Sequence, residues 1–113
     1  MTSCLHEETL GILIIKRTNQ FAEWLHRLKS PSDRGAILMR LLRVQHGLFG
    51  DMRSIGEGIH ELRLHIGPGY RLYIAREGAD IYVLLCAGIK DTQKHDIEFA
   101  RTIWRDLKRE RHA

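Results

Sequence analysis

Three apolar segments joined by two turn sequences constrain the fold of this chain more than any other feature. They lie between Gly58 and Lys94, and the turns are Gly67–Gly69 and Glu77–Asp80. Glycine, proline and aspartate favour tight turns, so the pattern predicts three consecutive strands that pair as an antiparallel meander. The last segment, Ile81–Ala87, is apolar on both faces, which is typical of a central strand covered on both sides.

Helical and strand patterns flank this meander. Apolar residues spaced three and four apart predict amphipathic helices on both sides of it. The predicted elements are a short strand over Leu10–Ile15, helices over Gln20–Lys29 and Pro31–Gln45, an edge strand over Asp51–Ile55 and a C-terminal helix over Lys94–Arg109. We expect the first strand to be central, because it too is apolar on both faces.

Together these elements predict one α+β domain over residues 1–113, in the order β-α-α, then three or four antiparallel strands, then α. The sheet should pack against a helical hairpin on one face and the C-terminal helix on the other. Trp24 and Trp104, one in each helical layer, should both be largely buried. The polar residues 1–9 should be flexible.

The charge balance suits more than one kind of partner. The chain has 18 basic and 14 acidic residues, a net charge of +4 and a pI of 9.4. This excess fits a polyanionic partner, but it also fits an ordinary solvated surface. Cys4 and Cys86 are too few for a disulfide framework, and neither a signal peptide nor a membrane-length apolar run is visible. We therefore expect a cytoplasmic protein without a membrane partner.

Several classes of chemistry lack their sequence motifs. The seven histidines are scattered, and no HxxH, HExxH or CxxC spacing indicates a metal site. No GxSxG elbow indicates a serine hydrolase, and Cys86 lies within an apolar strand. The glycine pairs at Gly56–Gly58 and Gly67–Gly69 match turns rather than nucleotide-binding loops.

Four basic residues remain as candidates for chemistry. Arg63 and Arg71 flank the first turn on paired strands, Lys90 follows the central strand, and Lys94 opens the last helix. On one exposed face these cations could surround an anion, with help from the helix N-terminus. The alternative interpretation is that charges alternating with apolar residues mark only the solvated face of a sheet.

Four further residues could assist such a site. His65 and His95 could supply proton transfer or base stacking, Tyr73 shares the strand face of Arg71, and Arg43 lies on the basic face of the second helix. Because RNA can be cleaved by its own 2′-hydroxyl, a protein nucleophile is not needed. Such chemistry requires in-line geometry and cations around the phosphate.

Three motifs carry a resemblance to a known family. They are G-E-G-I-x-E-L-R at Gly56–Arg63, G-P-G-Y-R at Gly67–Arg71 and G-x-K-x-x-Q-K-x-D-I at Gly88–Ile97. With FAEWL at Phe21–Leu25, they make nearly the whole chain, from about Ile14 to Leu107, resemble the HigB-like addiction-module killer group of the RelE superfamily.

The resemblance implies a RelE-like fold and a type II toxin–antitoxin toxin. Members of that superfamily enter the ribosomal A site and cut mRNA without metal, using the ribose 2′-hydroxyl to form a cyclic phosphate. A cognate antitoxin, commonly of helix-turn-helix type, blocks them. The alternative is a non-catalytic, degenerate toxin-fold protein that only binds an antitoxin or RNA.

The resemblance also implies roles for individual residues. Arg71 matches an arginine that contacts the scissile phosphate, Arg63 falls near a basic strand position, and Lys90 matches a residue that stabilises charge or protonates the leaving oxygen. His95 lies where other branches place a residue acting on the 2′-hydroxyl. The predicted catalytic set is Arg71, Lys90, Arg63 and His95, and the predicted RNA- or phosphate-binding set is Lys94, His65, Tyr73 and Arg43, with no metal and no cofactor.

Overall fold

A computed structural model describes residues 12–111 of the chain. The elements are β1 (Ile14–Arg17), α1 (Asn19–Arg27), α2 (Pro31–Gln45), β2 (Met52–Gly56), β3 (Ile59–Leu64), β4 (Tyr70–Arg76), β5 (Ile81–Ile89), a 3-10 turn (Lys90–Thr92) and α3 (Gln93–Arg111). The α+β class is confirmed. The predicted flexible residues 1–9 and the first two residues of the predicted strand, Leu10 and Gly11, lie outside the described range.

The five strands form one mixed sheet in the order β1-β5-β4-β3-β2. The meander β3-β4-β5 is antiparallel as predicted, and β2 adds an antiparallel edge strand. The expectation of a wholly antiparallel sheet with β1 at its centre is wrong, because β1 pairs in parallel with β5 alone and forms the other edge. Ile14 is 54% exposed, so its apolar character did not signal burial.

Side-chain caps explain where the first two helices begin. The Thr18 hydroxyl accepts a hydrogen bond from the Phe21 amide at 3.1 Å, and the Ser30 hydroxyl accepts one from the Asp33 amide at 3.1 Å. Pro31 occupies the first turn of α2, where a missing N–H costs nothing. The predicted bounds of α2 are confirmed, whereas α1 ends two residues earlier than predicted, at Arg27.

The sheet separates two apolar cores, and β5 contributes to both. The first core joins the sheet to α1 and α2 and contains Phe21, Leu25, Ile37, Leu41, Val44, Leu62, Leu64, Tyr70, Leu72, Ile74, Leu84 and Ala87. The second joins it to α3 and contains Ile59, Tyr73, Ala75, Val83, Leu85, Cys86, Ala100, Ile103 and Trp104. The prediction that β5 is covered on both faces is confirmed, whereas the middle strand of the sheet is β4, and β5 lies between β1 and β4.

The two tryptophans differ in burial. Trp104 is 4% exposed within the α3 core, as predicted. Trp24 is partly buried against the core formed with α1 and α2, so it is covered less completely than Trp104. It lies against Phe21, with ring centroids 5.9 Å apart, and meets Tyr70 edge-on at 5.8 Å, which leaves its remaining surface in solvent.

No helix within residues 12–111 is long and apolar enough to cross a membrane.

Candidate anion-binding site

Arg63 and Arg71 face each other directly across the β3–β4 pair. Alternation along β4 places Arg71 on the same face as Tyr73 and Ala75, which belong to the α3 core. Like charges opposite each other on a sheet destabilise it by roughly 0.2–1 kcal/mol. The two arginines are therefore held together by the rest of the fold, and their surroundings differ.

Arg63 is compensated by a buried carboxylate. Its Nε donates to Glu61 Oε1 at 3.0 Å, and the second oxygen of Glu61 accepts from the Tyr73 hydroxyl at 3.0 Å and from Gln93 Nε2 at 2.8 Å. Burial raises the pKa of the Glu61 carboxyl, but the hydrogen bonds from Gln93, Arg63 and Tyr73 outweigh it, so the net pKa is lowered. Glu61 is ionised and fully buried.

Arg71 has no such partner. It is 6% exposed, and it forms no ion pair with the carboxylates of residues 12–111. Its Nη1 donates to the Tyr70 carbonyl at 3.3 Å, and its buried Nε has no hydrogen-bond partner. Buried polar groups almost always find partners, and a buried charge is costly unless it is paired. Arg71 is thus a buried cation without a carboxylate partner in residues 12–111, and its Nε is an unused donor.

Lys90 and Arg71 converge at Gly69. The Lys90 amide donates to the Gly69 carbonyl at 2.8 Å, which fixes the start of the 3-10 turn beside the β3–β4 hairpin. A methyl group on Gly69 would lie 3.3 Å from Lys90 Cβ and 3.6 Å from Arg71 Nη1. Gly69 therefore leaves room for the aliphatic stem of Lys90 and the guanidinium of Arg71, and its φ of +82° also favours glycine.

Neighbouring elements hold this corner in place. The Tyr70 hydroxyl donates to Asp33 Oδ2 at 2.6 Å and ties the hairpin to α2. On the other face, the Asp96 carboxylate of α3 lies directly over Gly88, where a Cβ atom would come within 1.8 Å of Oδ2. The Thr92 hydroxyl donates to that same carboxylate at 2.5 Å. Burial, followed by the hydrogen bond to Asp33, raises the pKa of Tyr70 to about 12.

His65 borders the same face of the sheet. Its Nε2 lies 2.6 Å from Asp51 Oδ2, and Asp51 is opposite Arg63, since its carbonyl accepts the Arg63 amide at 3.0 Å. The hydrogen bond with His65 chiefly lowers the pKa of Asp51, and the charges of Arg63 and Arg40 act in the same direction.

The structure does not bring all predicted site residues together. Lys94 and His95 are exposed at the start of α3, where His95 stacks on Phe99 with ring centroids 6.5 Å apart. Arg43 is exposed on α2, on the opposite side of the sheet from α3. The cluster at Gly69 therefore contains Arg71 and Lys90, with Arg63 and His65 beside them.

Two expectations about the sheet face are corrected. Arg71 is not on an exposed face but buried, and Tyr73 is completely buried, so it has no surface with which to contact RNA. Burial and the neighbouring Glu61 carboxylate raise the pKa of the Tyr73 phenol, so it remains a neutral donor. Tyr73 therefore acts inside the protein, where its hydroxyl donates a hydrogen bond to Glu61.

Sequence reasoning missed Glu61, Gln93 and Asp51. A carboxylate within an apolar strand, two residues from an arginine on the same face, is a signal that could have identified Glu61. The contacts made by Gln93 and Asp51 depend on tertiary structure and left no pattern in the sequence. Within the described range, no group of three His, Cys, Asp or Glu side chains is arranged to hold a metal ion.

Comparison with known proteins gives one informative relative. A protein of Haemophilus influenzae (strain ATCC 51907 / DSM 11121 / KW20 / Rd), described as an uncharacterized protein, is 41% identical over 93 residues. The match covers 82% of this chain and 94% of the relative. No family model matches the chain, and no solved structure matches it.

Proposed function

The chain belongs to the same protein family as the Haemophilus influenzae protein, and we propose that it is a RelE-like toxin of a type II toxin–antitoxin module. In this proposal it is a metal-independent, ribosome-dependent mRNA endoribonuclease. The observation that carries the proposal is the buried Arg71 guanidinium, which has an unused donor and lies beside Lys90 at the open position above Gly69. This arrangement suits a phosphate group.

A phosphodiester would supply what the site lacks. Its oxygens accept hydrogen bonds from a guanidinium, and anionic charge would offset Arg71, Lys90 and Arg63, which is directly opposite Arg71 on the neighbouring strand. When a ribose 2′-hydroxyl attacks the adjacent phosphorus, negative charge accumulates on the equatorial oxygens. Fixed cations in a partly dry site stabilise that charge strongly, without reorganising during the reaction.

The three motifs, which imply a RelE-like architecture, also support the proposal, and the fold is of the α+β class. Two of those motifs supply the site: G-P-G-Y-R contains Gly69 and Arg71, and G-x-K-x-x-Q-K-x-D-I contains Gly88 and Lys90. The ribosome, mRNA and a cognate antitoxin as partners rest on the resemblance, with the net charge of +4 as supporting chemistry.

Induced expression in bacteria tests the proposal. The wild-type chain should arrest growth, and Arg71→Ala or Lys90→Ala should relieve the arrest. Arg76→Ala is the matched control, because Arg76 is an exposed arginine at the end of the same strand and bonds only the next turn, at Gly78 and Ala79. Equal toxicity of a soluble, folded Arg71→Ala/Lys90→Ala double variant would refute the site.

Primer extension on translated mRNA tests the reaction itself. Cleavage should require ribosomes, and the upstream fragment should end in a cyclic phosphate. Efficient cleavage of naked RNA would contradict the ribosome-dependent proposal.

A non-catalytic toxin-fold protein is the second candidate. The stacking of the exposed His95 on Phe99 of the same helix favours it, because within residues 12–111 the predicted acid–base residue forms no hydrogen bond with Arg71. Under this alternative the purified protein should bind RNA or an antitoxin, while translated mRNA stays intact.

A further inference from the structure

The outward surface of α2 is apolar, although its inner face already packs into the core that it shares with α1. Leu38, Met39 and Leu42 are between 39% and 51% exposed. Of the seven exposed residues of α2, only Ser32 and Arg43 are polar. A surface helix normally turns polar residues toward solvent, whereas a helix that is apolar all round is covered on all sides. The outer face of α2 therefore resembles one half of an interface.

The shape of this outer face suits a second helix. Leu38 and Leu42 are one turn apart, so their side chains form a ridge along the helix. Gly35 is one turn before Leu38, and no atom lies within 4 Å of the position that its Cβ would occupy. A glycine inside an exposed helix weakens it relative to alanine, but its bare backbone permits close approach. Met39, beside the ridge, has a flexible side chain that adapts to different partners.

The polar residues near this face are mainly basic. Arg43 is exposed and follows Leu42, His46 is exposed just after the helix, and Lys29 is exposed in the loop that leads into it. His26 of α1 lines the groove between the two helices. An apolar ridge with basic residues around it is complementary to apolar side chains flanked by carboxylates.

The carboxylates of α1 and α2 do not offset this charge. The two helices contain only Glu23 and Asp33. Glu23 pairs with Arg27 at 3.8 Å, and Asp33 accepts the hydrogen bond from Tyr70. A second copy of the chain would bring two basic borders together, and like charges across an interface oppose association. The charge of this face therefore favours an acidic partner over a second copy.

From these observations we propose that the outer face of α2 binds an acidic amphipathic helix of a partner protein. Apolar side chains of that helix contact Leu38 and Leu42, and its backbone passes close to Gly35. Its carboxylates lie near the basic residues at the border. The α1–α2 layer is on the opposite side of the sheet from Arg71, so the inference does not depend on the proposed endoribonuclease activity.

Amide NMR spectra of the isotope-labelled full chain, recorded during a peptide titration, test this proposal. The probe is a peptide of about 18 residues, long enough to form a helix, with leucines three and four apart and glutamates and alanines elsewhere. The matched probe has lysine in place of every glutamate. The glutamate peptide should shift the amides of residues 35–43, more strongly at low salt, whereas the lysine peptide should not.

Variants of the outer face separate binding from folding, which thermal melts measure in parallel. Leu42→Glu should weaken binding of the glutamate peptide about tenfold, because a carboxylate that repels the peptide replaces an apolar contact. Gly35→Gln should also weaken binding while it makes the fold more stable, since glutamine favours a helix more than glycine does. Arg43→Glu should weaken binding about two- to fivefold and reduce its salt dependence. Phe99→Glu is the control, because Phe99 is an exposed apolar residue of α3, across the sheet.

Other occupants of this face would give different results. A dimer in sedimentation experiments that dissociates in Leu42→Glu would assign the face to a second copy and overturn the proposal. Equal amide shifts with the lysine peptide, with a single-stranded RNA oligomer or with phosphatidylglycerol vesicles would overturn it too, as would no shift at about 1 mM glutamate peptide. A wild-type chain that binds the glutamate peptide as expected but does not arrest growth would support this surface and count only against the endoribonuclease function.

Discussion

Replacing Arg71 by methionine should abolish activity and at the same time stabilise the fold. The guanidinium is buried, opposes Arg63 and has no carboxylate partner in residues 12–111. Replacing buried charges by apolar side chains of similar volume often stabilises proteins by about 1–4 kcal/mol. Removing the cross-strand repulsion adds roughly 0.2–1 kcal/mol. We expect a gain of about 1–3 kcal/mol, because methionine follows the same path as the arginine stem.

Arg63→Met is the matched control, because Arg63 occupies the opposite position of the same ladder. Its loss would remove the only cation that contacts Glu61 within residues 12–111, leaving that fully buried carboxylate with the hydrogen bonds from Tyr73 and Gln93. Removing one partner of a fully buried pair costs about 3–5 kcal/mol. Because the Arg63 side chain is 23% exposed and two donors remain, we expect a loss of about 2 kcal/mol.

Urea unfolding at pH 7, with thermal melts beside it, measures both changes. For a chain of about this length, 1 kcal/mol shifts Tm by about 4 °C, so the two variants should differ by more than 10 °C. Cleavage should be lost in Arg71→Met in spite of its greater stability. If Arg71→Met is destabilised as much as Arg63→Met, then Arg71 is a structural residue and the reasoning from its missing partner is wrong.

Three further predictions concern neighbouring residues. Gly69→Ala should lose activity and about 1–2 kcal/mol of stability, because its φ is +82° and the new methyl would crowd both cations, whereas Gly78→Ala, with no atom within 4 Å, should change little in the same assays. The folded pKa of Glu61 is lowered, so its ionisation stabilises the fold above the usual carboxyl pKa of about 4.3, and this stability is lost as the pH falls through the folded value. Urea midpoints between pH 7 and pH 3 should therefore fall less steeply for Glu61→Gln than for wild type. Cys86, 3% exposed and with its pKa raised by burial to about 12, should resist iodoacetamide at pH 8 until urea unfolds the chain, as peptide mass spectrometry would show.

Local chemistry made much of the fold predictable. The bounds of α2 follow from Ser30, which caps it, and from Pro31, which can only begin it. The meander follows from its two turns and its alternation. The position of β1 could not be predicted in the same way, because Ile14 is apolar but exposed, and strand order depends on contacts between distant segments.

Local sequence patterns also made part of the site predictable. Alternation correctly places Arg63 and Arg71 on one face, but alternation does not report how deeply a face is covered. The burial of Arg71 and Tyr73 is a tertiary property of the folded sheet and the helix that covers it. How closely α3 approaches depends on Gly88, whose missing side chain admits Asp96. A spacing pattern in the sequence reports neither the burial of these two side chains nor the distance between α3 and the sheet.

The contact between Asp96 and Gly88 ties the position of Lys90 to the docking of α3. Lys90 begins the turn that leads from β5 into α3. Asp96 of that helix lies over Gly88, and the Thr92 hydroxyl of the turn donates to the same carboxylate. Any motion that lifts the start of α3 from the sheet would therefore also move Lys90 away from Gly69.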